Sequence, residues 1–91
     1  MLKISRKVEY ALIALRHLQG LKKEELASAK ELADSYGVPK ELLAKVLQRL
    51  AKKKIIDAVK GPHGGYRLAI DPESMRLTEF FEVIEGPMGI M

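Results

Sequence analysis

Glu41, Ala44, Lys45 and Gln48 stand at positions i, i+3, i+4 and i+7, and Lys52 follows four residues later. On a helix, residues spaced this way share one face. The amide of Gln48 and the ammonium of Lys45 donate to base edges and phosphates, Glu41 accepts from a cytosine amino group, and the small Ala44 lets a backbone approach a thymine methyl. Leu42, Leu43, Val46, Leu47 and Leu50 recur with the 3.6-residue period on the other side. Pro39 suits a first helical position, because its missing N–H is not needed there. The stretch from about 39 to 54 therefore looks like a recognition helix. An ordinary solvated surface helix shares the pattern, so its neighbours decide.

Ser28-Ala-Lys-Glu31 matches the S-x-x-E capping box and opens a preceding helix over Ala29–Tyr36, ended by Gly37. Two helices joined through a short Gly-containing turn form a helix-turn-helix, although helical hairpins also fit. After Lys54 the period changes. Ile55–Val59 and Tyr66–Ile70 have strand character, and Lys60-Gly-Pro-His-Gly-Gly65 between them is a tight loop. A nucleotide-binding loop would require a Lys-Ser/Thr pair, which is missing. The expected fold is mainly α with a small β-hairpin, a winged helix-turn-helix in one domain spanning 1–91. Its wing occupies about 55–70 and its C-terminal helix about 78–86.

The first helix is expected after Ser5, with Gly20 as its C′ residue. Val8, Ala11, Leu12, Leu15 and Leu18 make one apolar stripe, and Tyr10, Ile13, Ala14, His17 and Leu21 make a second. A helix apolar on two sides has to be covered on two sides, which implies a partner. Thr78 is positioned to cap the last helix, which carries Phe80, Phe81, Val83 and Ile84, and Met88, Ile90 and Met91 follow. Tyr10, Ile13, Ala14, His17, Phe80, Val83, Met88 and Ile90 are accordingly expected at the interface of a homodimer.

Charge divides the chain. Residues 1–54 hold thirteen Lys/Arg against six Asp/Glu, and 55–91 hold three against six, within a net charge of +4. The basic part contains the recognition helix, which suits a polyanion. With no cysteine there is no disulfide, thiolate metal site or cysteine nucleophile. No apolar run approaches the ~20 residues of a membrane span, and the basic start lacks the apolar core of a signal peptide. A cytoplasmic location follows as the expectation. His17 lies on an apolar stripe and His63 is isolated, so no nucleophile–base set can be assembled. The Glu79, Glu82 and Glu85 face is most simply a solvated one.

Four segments carry a resemblance: Lys3–Leu12 (KISRKVEYAL), Gly37–Pro39 (GVP), Val59–Leu68 (VKGPHGGYRL) and Leu77–Pro87 (LTEFFEVIEGP). Together they make the chain similar to the IscR/NsrR-type winged-helix transcription regulators, the Rrf-two family, over essentially its whole length. The resemblance implies a bacterial DNA-binding homodimer, with the recognition helix in the major groove and the wing in the minor groove. Many members carry three cluster-binding cysteines after the position of Pro87, and Glu9 matches an acidic cluster ligand of some relatives. Here the thiolates are missing, so no iron–sulfur cluster or other cofactor is expected. The family's long dimerisation helix is missing as well, and Lys54 stands where members often have Gly.

The expected duplex-contacting set is Arg6, Ser28, Lys30, Pro39, Lys40, Glu41, Ala44, Lys45, Gln48, Arg49, Lys60, His63, Gly64, Gly65 and Tyr66. The expected function is sequence-specific regulation of transcription on double-stranded DNA, without catalysis or a metal. The alternative is a winged-helix adaptor that docks on protein. The operator, the effector and the sign of regulation are not legible.

Overall fold

Ser5 opens the first helix: its Oγ accepts from the Val8 N–H at 3.2 Å, satisfying one of the free donors of the first turn. The structure is a computed structural model that describes residues 5–85. Helix α1 spans Arg6–Gln19, α2 Ala29–Tyr36 and α3 Lys40–Lys52; strands β1 (Ile56–Val59) and β2 (Gly65–Leu68) follow, then a 3-10 turn at Pro72–Ser74 and α4 at Leu77–Glu85. This is the expected winged helix-turn-helix. Gly20 is the C-cap itself, with right-handed dihedrals (φ −87°, ψ −1°). A left-handed C′ role is not used there, because its N–H already bonds back to the carbonyls of His17 and Leu18.

Helix α1 is the centre of the fold, packing against α3, α4 and β2. Val8, Ala11, Leu15 and Leu18 join Leu32, Leu43, Leu47, Leu50, Ile56, Phe80 and Ile84 in one core. The second stripe needs a correction. Tyr10 and Ala14 are buried in this same core, and so is Phe80 from α4. The chain covers both sides of α1 by itself, so these three side chains are not available to a second copy. Leu12, expected inside, is 40% exposed.

β1 and β2 pair antiparallel in the register Ile56↔Leu68 to Val59↔Gly65. The second strand is shorter than expected. The Ala69 N–H still reaches the Ile55 carbonyl at 3.0 Å, but the chain then turns away and leaves Ile70 exposed. Thr78 is not the cap of α4, since the helix already includes Leu77. The Arg76 N–H donates to Glu79 Oε1 at 2.9 Å, the carboxylate half of a capping box at a start two residues earlier than Thr78 would give. Met88 and Ile90, placed at the dimer interface by sequence, lie outside the described residues.

Candidate nucleic-acid interface

The turn between α2 and α3 depends on a dihedral. Gly37 sits in the left-handed region (φ 64°, ψ 34°) and its N–H bonds to the Ala33 carbonyl. A Cβ added there would meet nothing within 4 Å, so conformation and not space selects glycine. α2 starts from a complete capping box: Ser28 Oγ accepts from the Glu31 N–H at 3.0 Å, and the Ser28 N–H donates to Glu31 Oε1 at 2.8 Å. The Ser28 N–H bond favours the carboxylate and, with the nearby Ser28 side chain, lowers the pKa of Glu31. Ser28, expected at DNA, is half-buried; its Oγ accepts within the cap and keeps its O–H as a donor.

Pro39 is the N-cap of α3, with extended dihedrals (φ −61°, ψ 124°), and not its first helical residue. Its carbonyl accepts from the Leu43 N–H at 3.0 Å. Leu43, Val46, Leu47 and Leu50 are buried, whereas Lys40, Glu41, Lys45, Gln48, Arg49 and Lys52 are exposed and Ala44 is half-buried. The sequence-derived face is therefore presented outward on a helix fixed by four core residues.

α3 closes at Lys52, two residues short of the expected end, in a Schellman motif. The Ile55 N–H reaches the Leu50 carbonyl and the Lys54 N–H reaches the Ala51 carbonyl, each at 3.0 Å. Lys54 takes the left-handed position, φ 64°, the place where glycine is the unstrained residue. Ile55 and Leu50 are both buried, completing the apolar contact of the motif, and β1 starts one residue later.

In the wing, a Cβ on Gly64 would lie 2.0 Å from the Val59 carbonyl oxygen, and one on Gly65 2.9 Å from the backbone of Ala27. The second approach reveals a contact that sequence reasoning missed. Ala27 bridges to Tyr66 antiparallel, with its N–H to the Tyr66 carbonyl at 3.1 Å and the Tyr66 N–H to its carbonyl at 2.8 Å. The buried Ala27 thus ties the wing to the residue just before the α2 cap. The available signal was the pair of small residues Gly64-Gly65 opposite a lone Ala. Lys60 and His63 are exposed in the loop.

The cations differ in their surroundings. Lys30 pairs with Asp34 at 2.9 Å on the surface, and this bond raises its pKa. Arg6 Nη1 donates to the Tyr10 hydroxyl at 3.4 Å, which raises the guanidinium further. Arg49 Nε donates to the Val83 carbonyl near the end of α4. Lys40, Lys45, Lys52 and Lys60 have no ion pair among the described residues. His17 Nδ1 lies 2.8 Å from the Tyr36 hydroxyl, with the two rings edge to face, joining α1 to α2. Of the expected dimer contacts, Ile13, His17 and Val83 are half-buried.

Residues 4–91 match a family, Rrf2, described as an iron-dependent transcriptional regulator. The chain belongs to the Rrf2 family. It is 34% identical over 92 residues to the HTH-type transcriptional regulator IscR of Cereibacter sphaeroides, a match covering 99% of this chain and 59% of the relative. To NsrR of Bacillus subtilis it is 30% identical over 90 residues, covering 99% of this chain and 62% of that one. The solved structure of CymR, the global cysteine regulator of B. subtilis, superposes with a TM-score of 0.85 at 27% identity, covering 100% of this chain and 70% of that one. The Rrf2 chain here thus spans about three-fifths of the length of these two regulators.

The family's description names iron, which needs thiolate, imidazole or carboxylate donors brought together. These 91 residues contain no cysteine, and no three His, Asp or Glu side chains converge among the described residues. His17 is engaged with Tyr36, and Glu9 is exposed on α1 without a nearby thiolate to share a cluster. This donor set does not fit an iron or iron–sulfur group. No helix among the described residues is long and apolar enough to cross a membrane.

Proposed function

We propose that this Rrf2 domain binds duplex DNA in a sequence-dependent manner to control transcription. Its α3 lies in the major groove and its wing meets the minor groove or the backbone. One observation carries the reading: Glu41, Lys45, Gln48 and Lys52 are exposed along α3, while the opposite face of the same helix is locked into the core. Such a helix presents donors and an acceptor from a rigid base, which is what base-edge contacts need. Lys40 and Lys60 add charge for phosphates. The domain does this without a bound cluster and without catalysis, and a bacterial cytoplasm is the matching location.

The same proposal includes a second copy of the chain. Leu12 is exposed beside a groove of about 450 Å³ that Pro72 and Met75 also line, and Ile13, His17 and Val83 lie half-buried. A two-fold dimer would space two half-sites by about one or two turns of ~10.5 bp.

Selection of bound duplexes from a random pool, followed by titration over a salt series, tests the whole. A recovered inverted repeat is expected. Binding that is equal for all sequences, or absent, would replace this function with the docking of a protein partner. A monomer in sedimentation at high concentration would remove the dimer alone.

A further inference from the structure

A groove of about 340 Å³ runs between α3, the end of α4 and the start of α1, a size within the usual range of small-molecule sites. Its floor is the half-buried Leu42 together with Val46 and Ile84, which the core already buries, and its rim carries Lys7, Lys45, Arg49 and Lys52, with no carboxylate among the described lining residues. Arg49 is steadied by the bond from its Nε to the Val83 carbonyl, which leaves the other guanidinium donors free to point outward. Lys7, Lys45 and Lys52 have no ion pair among the described residues.

We infer that this groove binds a small amphipathic anion, a carboxylate or sulfonate on an apolar body. The apolar part rests on the half-buried Leu42 and the aliphatic stems of the surrounding lysines, and the charged group meets Arg49 and the lysine ammonium groups. A DNA phosphate would answer the cations and leave Leu42 uncovered, whereas a neutral apolar molecule would cover Leu42 and leave the four cations without a counter-charge. Only a ligand with both parts satisfies both. Lys45 and Gln48 line this groove and also belong to the proposed base-contacting face, so an occupied groove and a bound duplex exclude each other. That competition rests on the proposed function; the groove itself does not.

The test uses the 91-residue chain and two dyes of the same apolar shape, 8-anilinonaphthalene-1-sulfonate and the uncharged N-phenyl-1-naphthylamine. One sulfonate dye per chain is expected to fluoresce, at least tenfold tighter than the neutral dye. Leu42→Ser and the pair Arg49→Gln with Lys52→Gln should each weaken it about tenfold. If the Arg49 variant melts early, Lys7→Gln with Lys52→Gln takes its place and must give the same loss. Equal binding of the two dyes, or sulfonate binding that survives these substitutions (as it would in the second groove, near Leu12 and Met75), overturns the inference. Saturating dye is expected to release duplex DNA, and dye and duplex bound side by side would overturn the shared site. A chain that binds duplex but no sulfonate dye sinks this inference alone. One that binds the dye but no duplex sinks only the proposed function.

Discussion

Helix α3 and the wing are adjacent in sequence but are held by different forces. α3 is fixed through side chains: Leu43, Leu47 and Leu50 are at most 1% exposed, and burying such a residue contributes about 1.5–3 kcal/mol. The wing has four-residue strands, and Ile56 is the one fully buried side chain in its two strands. It is fixed instead through its backbone, by the β1–β2 ladder, the Ala27–Tyr66 bridge and two glycines with no room for a side chain. An isolated two-stranded hairpin is marginal in water, so the third rung at Ala27 matters. The outer face of α3 can change, short of a proline, without disturbing its anchor, whereas the wing has no room for a side chain at Gly64 or Gly65.

This contrast sets the order of expected effects. Leu47→Ala should be the most damaging, costing about 2–5 kcal/mol in denaturant unfolding; a loss below 1 kcal/mol would mean that α3 is not anchored as described. Gly64→Ala should cost about 1–3 kcal/mol, as overpacking does, while circular dichroism keeps the full helical signal and duplex affinity drops. A variant with native affinity would show the wing to be dispensable. Gln48→Ala should lower affinity for the selected duplex by about 1–3 kcal/mol and relax preference at one base pair. Lys60→Ala should weaken all duplexes alike and reduce the salt slope by about one unit; matching behaviour of the two variants would erase the division of labour. The smallest effect has the opposite sign. Lys54→Gly relieves a left-handed lysine and should stabilise by about 0.5–1 kcal/mol after the added freedom of the unfolded chain is counted. Thermal melting would show a rise of a few degrees, and a fall would mean that the lysine side chain makes an unsuspected contact.

Much of this was legible in the sequence because local rules decided it. Ser5, Ser28-Glu31 and Gly37 mark helix ends through bonds within a few residues, and each functions as its pattern implies. The outward face of α3 was legible for the same reason, since one helix with one apolar stripe leaves no choice of side. Tyr10, Ala14 and Phe80 were misassigned because the number of neighbours around α1 is a property of the assembled fold; two apolar stripes look identical whether the chain or a partner covers them. Thr78 lost its cap role to Arg76 and Glu79, the helix starting two residues earlier, within the usual uncertainty of helix ends. The Ala27–Tyr66 bridge joins residues thirty-nine apart and no local pattern announces it. Lys54 stands in a glycine's position, so its backbone geometry hid behind its side chain.

The Schellman closure of α3 has a mechanical consequence. With Ile55 embedded in the core and β1 starting at the next residue, no hinge separates the helix from the wing, and the Ala27 bridge removes the hairpin's freedom to swing. The distance between the two proposed reading elements is therefore a fixed gauge. A duplex whose grooves do not match that gauge has to bend or twist to meet it, at an elastic cost of about 1–6 kcal/mol that depends on its sequence. On the proposed function, stiffness in the protein becomes selectivity for pliant DNA at base pairs that no side chain touches.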